Sequence, residues 1–301
     1  MKRDFLTLSD LSSGEIQRLL KRAGELKSGK DVNKCPLIGK SIGLLFEKSS
    51  TRTRVSLDVG IYQLGGQAIY MNPKEIQIGR GETIHDTAKV LSRYLHAVII
   101  RTYSHETLVE FASHSSIPVI NGLSDLHHPC QALGDLMTIA EKRGRLKGVR
   151  LAYVGDGNNV ANSLIEAAAM TGINLSVACP KGYEPASDVL KKARTSAKGD
   201  ITVVNDPKQA VKDAEVIYTD VWVSMGQEKE AAKKRERFRN YQVNRRLLSY
   251  ADKNVIVMHC MPAHRGEEIA GEIIDGPQSA VFDQAENRLH TQKALLEFLL
   301  A

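Results

Sequence analysis

Apolar residues along the chain alternate between two spacings. The run Ser41–Phe46, with Ile42, Leu44, Leu45 and Phe46, has the continuous character of a parallel strand covered on both faces. Similar short runs predict strands at Gln67–Met71, His96–Arg101, Ile117–Ile120, Val149–Val154, Asn174–Cys179, Ile201–Val204, Glu215–Tyr218 and Asn254–Met258, with a last short one at Ser279–Asp283. Between them the spacing changes to that of helices. Ile16, Leu19, Leu20, Ala23 and Leu26 share one helical face within Leu8–Lys27, and Ser12 with Glu15 reads as its capping box. Further helices are predicted over Val55–Ile61, Thr83–Tyr94, His105–Ser113, from Pro129 onward, over Val160–Met170 and over Glu286–Leu300. Strand and helix in strict turn predict parallel α/β layers with right-handed crossovers. The charged, glycine-punctuated stretch Glu141–Gly148 interrupts the alternation, which restarts at Val149, so two open parallel-sheet domains are expected, 1–140 and 141–283.

Composition narrows the class. With 42% hydrophobic and 25% charged residues the chain reads as soluble and globular, and no apolar run reaches membrane-spanning length. The start, Met1-Lys2-Arg3-Asp4-Phe5, lacks a signal-peptide apolar core, and Cys35, Cys130, Cys179 and Cys260 stand far apart, so a reducing cytoplasm without structural zinc is expected. The net charge of +6 suits an anionic small molecule but is too small and dispersed for nucleic acid. The basic run from Lys233 to Arg239 is interleaved with glutamate and reads as a solvated helix face.

Candidate chemistry concentrates where the first strand empties into a helix, at Ser49-Ser50-Thr51-Arg52-Thr53-Arg54. Hydroxyls and two guanidiniums at a helix N-terminus exceed what capping needs and suit a phosphate-like dianion. Arg101 and His128 stand at the ends of other predicted strands, the edge at which open α/β sheets bind ligands. Two phosphate motifs fail. Gly39-Lys40-Ser41 precedes its strand, and position 34 is lysine where a P-loop needs glycine. Gly155-Asp156-Gly157 follows a strand as a dinucleotide fingerprint does. Val160 replaces its third glycine, however, and no carboxylate follows Cys179-Pro180-Lys181.

Ser50–Arg54 resembles the carbamoyl-phosphate loop of the transcarbamylases. His128-Pro129-Cys130-Gln131 resembles that family's second carbamoyl-phosphate motif, Asp220–Gly226 (Asp-Val-Trp-Val-Ser-Met-Gly) its mobile ornithine loop, and His259-Cys260-Met261-Pro262 its C-terminal cysteine motif. The motifs span both predicted domains, and the last two point to the ornithine-using branch. The resemblance implies transfer of a carbamoyl group from carbamoyl phosphate to the δ-amine of L-ornithine, giving citrulline and phosphate in arginine metabolism, without metal or organic cofactor. Ser50, Thr51, Arg52 and Thr53 would hold the phosphate, with Gln77 reaching in from a neighbouring subunit of a homotrimer or multiple of trimers. Arg101, His128 and Gln131 would hold the carbamoyl group, and Arg288, on a terminal helix (284–301) that packs back onto the first domain, would join them. Asn159, Asp220, Ser224 and Met225 would hold ornithine, with Cys260 and Met261 beside the reacting amine. Arg52, Thr53, Arg101, His128 and Cys260 are the catalytic candidates, the middle three aimed at the carbonyl oxygen where negative charge builds. A putrescine carbamoyltransferase would share the phosphate half, but its acceptor has no α-carboxylate for the Asn159 and Asp220 set.

Overall fold

The computed structural model describes residues 2–31, 34–72, 81–224 and 230–301. The chain divides into two compact units, residues 1–137 with 286–301, and residues 138–285.

In the first unit the elements run α1 (Ser13–Lys27), β1 (Ser41–Phe46), α2 (Thr51–Gln63), β2 (Gln67–Met71), α3 (Ile84–Tyr94), β3 (Ala97–Arg101), α4 (His105–His114), β4 (Val119–Leu123) and α5 (Pro129–Arg143). Both halves of the capping box at α1 are made: the Glu15 amide donates to Ser12 Oγ at 3.3 Å, and the Ser12 amide donates to the Glu15 carboxylate at 2.8 Å. The strands form a parallel sheet in the order β2-β1-β3-β4. The chain leaves β1 toward β2 on one side and returns through α3 to β3 on the other. Outgoing connections therefore diverge between β1 and β3, which opens a crevice at their C-terminal ends. The register pairs Phe46 with Arg101, placing the arginine beside the end of β1.

The second unit continues with β5 (Arg150–Val154), α6 (Asn159–Thr171), β6 (Asn174–Ala178), α7 (Ser187–Ser196), β7 (Ile201–Val204), α8 (Pro207–Val211), β8 (Val216–Thr219), α9 (Ala231–Phe238), α10 (Arg245–Leu248), β9 (Ile256–His259), α11 (Gly271–Ile274) and α12 (Val281–Leu300). Its sheet is parallel in the order β7-β6-β5-β8-β9, so the divergence falls between β5 and β8, with Val154 opposite Thr219.

The helix α12 carries residues 286–301 into the first unit, where it docks on α1 and α5. Arg22 meets Glu297 with two hydrogen bonds of 2.7 and 3.0 Å, Lys27 donates to Asn287 at 2.7 Å, and a Cβ at Gly134 of α5 would lie 3.0 Å from Cγ of Arg288.

Two sequence expectations are corrected. Ser279–Asp283 is not a strand: Ser279 makes a single bridge to Val257, and the Gln284 amide already donates to the Ala280 carbonyl at 2.9 Å, so the final helix starts there. The face from Lys233 to Arg239 is not wholly solvated. Lys233, Arg235, Arg237 and Arg239 are exposed, but Lys234 is buried, one turn from Phe238, and pairs with Asp156 at 2.6 Å.

Candidate active site

In the first unit the loop after β1 is clamped before it reaches the helix. The Glu47 amide donates to the Arg101 carbonyl at 2.8 Å, and the Glu47 carboxylate accepts from the Thr102 hydroxyl. Buried Lys48 pairs with Asp125. Ser50 then caps α2 with extended backbone, its hydroxyl accepting from the Thr53 amide at 3.3 Å. The amides of Thr51 and Arg52 have no intrahelical carbonyl to reach and make up the helix's positive end. Thr51 is exposed and Arg52 half-buried. Arg54 does not join them: its guanidinium lies over the Tyr70 ring, 3.7 Å from the centroid, so the turn offers one arginine and not the two that its sequence suggests.

Thr53 is buried, and its hydroxyl accepts from Nη2 of Arg288 at 2.6 Å. Arg101, at the end of β3, and His128, just before α5, are also buried. Burial, reinforced by the Arg288 and Arg101 guanidiniums, holds the His128 imidazole well below its ordinary pKa. It is therefore neutral near pH 7 and can donate one N–H without carrying charge. Gln131 completes the group. Its Nε2 donates to Oδ1 of buried Asp135 at 2.9 Å. Neighbouring Cys130 is a packing residue: its thiol donates to the Asn121 carbonyl at 3.3 Å, and burial pushes its pKa up to about 12. The first unit thus brings Thr53, Arg101, His128, Gln131 and Arg288 to the divergence of its sheet, with Ser50, Thr51 and Arg52 in the adjoining turn. Gln77 lies outside the described residues.

The second unit builds a polar cluster at its own divergence. The helix α6 is capped by Asn158, not Asn159. The Asn158 Oδ1 accepts from the amides of Val160 (2.9 Å) and Ala161 (3.2 Å), while its Nδ2 donates to Oδ2 of Asp220 at 2.7 Å. Asn159, the sequence candidate, is the first helical residue and half-buried. The other oxygen of buried Asp220 accepts from Sγ of half-buried Cys260 at 2.9 Å. One carboxylate is thereby fixed between an asparagine and a thiol.

Behind Cys260 stands fully buried His259. Its Nδ1 accepts from the Met261 amide at 2.9 Å, so its Nε2 carries the proton toward Oε1 of Glu268 at 3.1 Å. This pair shapes the Cys260-Met261 turn, in which Met261 takes φ of +54° ahead of a cis Pro262. Asp220, His259 and Cys260 bring their donor atoms within 4.8 Å of one another, a spacing open to a soft cation. Binding one there would break the thiol–carboxylate and imidazole bonds just described. Ser224 is half-buried at the end of the described part of its loop, and Met225 lies outside the described residues.

The second fingerprint glycine of this unit, Gly157, is spent on packing. A Cβ at Gly157 would sit 2.3 Å from the Pro185 nitrogen, so the glycine admits neighbouring backbone and not a pyrophosphate. Asp156, buried beside it, has its pKa raised, burial outweighing the Lys234 ammonium.

Comparison with known proteins agrees with this geometry. Residues 3–141 match the carbamoyl-P binding domain of aspartate/ornithine carbamoyltransferase, and residues 147–299 match its Asp/Orn binding domain. The chain is 56% identical over 304 residues to an ornithine carbamoyltransferase of Oceanobacillus iheyensis, covering 99% of this chain and 94% of that protein. Among solved structures, an ornithine carbamoyltransferase from Pyrococcus furiosus superposes with a TM-score of 0.94 at 50% identity, covering 99% of this chain and 97% of the other. An anabolic ornithine carbamoyltransferase from Campylobacter jejuni superposes with a TM-score of 0.94 at 41% identity, covering 99% of each chain. The chain belongs to the aspartate/ornithine carbamoyltransferase family.

Proposed function

We propose that the chain transfers the carbamoyl group of carbamoyl phosphate to the δ-amine of L-ornithine, releasing L-citrulline and phosphate, in the direction of arginine synthesis. The observation that carries this reading is the buried set Thr53, Arg101, neutral His128 and Arg288 beside a helix N-terminus, in a chain of this family. Such a set offers donors to a dianion and to a carbonyl oxygen together. In the transfer the amine nitrogen forms a bond to the carbamoyl carbon, the C–O bond to phosphate breaks with its electron pair leaving on phosphate, and the amine's proton follows. The chemistry needs no redox partner and no Lewis acid. Arg101 and His128 are assigned to the carbonyl oxygen as it gains charge. Ser50, Thr51, Arg52 and Thr53 are assigned to the phosphate, with Gln77. Asp220, Asn159, Ser224 and Met225 are assigned to the amino-acid end of ornithine, and Cys260 with Met261 to the side of its δ-amine. Asn158 joins this set, through its bond to Asp220.

A homotrimer, or a multiple of trimers, completes the reading. Val55, Val59 and Tyr62 follow at helical spacing along α2, all exposed, with Tyr62 at 80%. Ile38, whose neighbour Leu37 donates its amide to the Leu64 carbonyl just past α2 at 2.9 Å, is exposed at 77%. That much apolar surface on one unit supports a partner subunit. No described helix is long and apolar enough to cross a membrane, and all four cysteines are free, which supports the cytoplasm as its place.

The test is a citrulline assay with carbamoyl phosphate against ornithine, putrescine and aspartate. Ornithine should be the preferred acceptor, and turnover of Arg52→Ala or Arg101→Ala should drop by about a hundredfold or more with melting temperature little changed. Wild-type rates in either variant, or equal rates with putrescine, would sink the reading.

A further inference from the structure

We propose that Asp135 fixes the polarity of the Gln131 amide, and that this makes the site select a carbamoyl NH2 over a methyl group; the inference rests on the carbamoyl-phosphate reading above. Both side chains are almost fully enclosed, Gln131 at 1% and Asp135 at 0% exposure. The Gln131 Nε2 donates to Asp135 Oδ1 at 2.9 Å, the orientation that a carboxylate oxygen acting as acceptor requires of the amide. The Gln131 carbonyl, Oε1, is thereby directed away from Asp135. It is buried without a hydrogen-bond partner among the described residues. A buried carbonyl left so is costly, and a ligand donor would relieve it.

The position of Gln131 fits that role. Its amide donates to the His128 carbonyl at 3.1 Å, and it stands three residues before Gly134, hence on the α5 face that meets Arg288. The polar groups gathered there, the two guanidiniums and the Thr53 hydroxyl, serve oxygen atoms as donors. A carbamoyl group also needs an acceptor for its NH2, and Oε1 is the atom so placed. Acetyl phosphate has the same charge and nearly the same shape, but its methyl group leaves Oε1 unpaired. Asp135 is thus a positioning residue: it touches no substrate and acts by forbidding the flipped amide, which would present NH2 to NH2. Discrimination of this kind, by a buried group left unpaired with the wrong ligand, is stronger than discrimination by size.

The experiment titrates carbamoyl phosphate, acetyl phosphate and inorganic phosphate into the wild type, Gln131→Met, Asp135→Asn and Asp135→Leu by calorimetry, with melting temperatures recorded alongside. In D135N the amide can turn either way, so the preference for carbamoyl over acetyl phosphate should fall by about three- to tenfold, with phosphate affinity unchanged. In D135L it should fall to the Q131M level, and the double variant D135N/Q131M should discriminate no worse than Q131M alone. If D135L does not fold, D135N, nearly the same size and shape, decides by itself. A parallel loss of affinity for all three ligands would mean that Asp135 only supports the fold, and a wild-type ratio in D135N would overturn the proposal as well. Failure of the parent reading looks different: the wild type would then bind carbamoyl phosphate no better than inorganic phosphate.

Discussion

Asp220 shows how a single residue can be set by its neighbours, one carboxylate oxygen taking the Asn158 amide at 2.7 Å and the other the Cys260 thiol at 2.9 Å. Cys260→Ser keeps a donor at that oxygen and Cys260→Ala removes it. The alanine variant should therefore raise the KM for ornithine about tenfold, the serine variant less, and both should leave carbamoyl-phosphate affinity near wild type. A cysteine that served only packing would behave in the opposite way, lowering the melting temperature and sparing both constants. His128 makes a prediction about pH. Its folded-state pKa lies well below the ordinary 6.5, through burial first and then Arg288 and Arg101. Below about pH 6.5 the unfolded chain takes up a proton that the folded chain refuses, so stability is lost as pH falls from there toward the folded pKa. The slope from this one group is up to about 1.4 kcal/mol per pH unit. His128→Asn should flatten the decline of melting temperature between roughly pH 6.5 and 5, while His105 and His290, also depressed by burial, keep part of it. Equal slopes in variant and wild type would show that the imidazole titrates normally.

At the scale of elements, the connection from β5 to α6 is the tightest passage next to the site. A Cβ at Gly157 would meet Pro185 N at 2.3 Å, Glu184 C at 2.4 Å and the Tyr183 carbonyl oxygen at 2.6 Å, all main-chain atoms that no side-chain rotation can clear. Gly157→Ala should cost about 1–3 kcal/mol, read as a lower denaturant midpoint, and should weaken ornithine binding because Asn158 moves with it. The same passage marks the limit of what a sequence discloses. Elements with local causes were legible: β1 from its apolar run, α1 from Ser12 and Glu15, the strand-end placement of Arg101 from alternation alone. Asn158 was not, because Asn158 and Asn159 are chemically identical and only the start of the helical dihedrals tells them apart. Lys234 was not, since its partner Asp156 lies in another part of the chain and a lysine among charges reads as solvated. Arg54 was assigned to the anion for a similar reason, its Tyr70 partner being on the following strand. Ser279–Asp283 had strand-like composition, but a single bridge to Val257 leaves no ladder to extend. Local pattern thus predicts which elements exist, whereas the partners of buried charges depend on topology.

At the scale of the whole molecule, the exposed apolar residues of α2 and the expected reach of Gln77 make one joint statement about assembly. Val55, Val59 and Tyr62 present an apolar stripe that a lone chain would leave in water. If the stripe is covered by a neighbouring copy, and that copy supplies Gln77, each complete site draws Arg101 from one chain and Gln77 from the next. Two variants then become complementary. Gln77→Ala and Arg101→Ala, prepared separately, should each have little activity. Dissociated, mixed in equal amounts and reassociated, chains that assemble as the proposed cyclic trimers would contain some sites pairing the intact Arg101 of one chain with the intact Gln77 of its neighbour. For random mixing that arrangement occurs at about one site in four, so the mixture should recover about a quarter of wild-type activity. A site built from one chain alone can never be whole in such a mixture, whatever the oligomer, and its activity would stay at the level of the separate variants. Tyr62→Glu supplies the control: a charge in the stripe should shift sedimentation toward monomer and abolish the recovery along with it. A Tyr62→Glu mixture that stays assembled and still recovers would detach the stripe from assembly, and recovery in a monomeric mixture would refute a shared site. No recovery in the assembled mixture with the stripe intact would return Gln77 to its own chain.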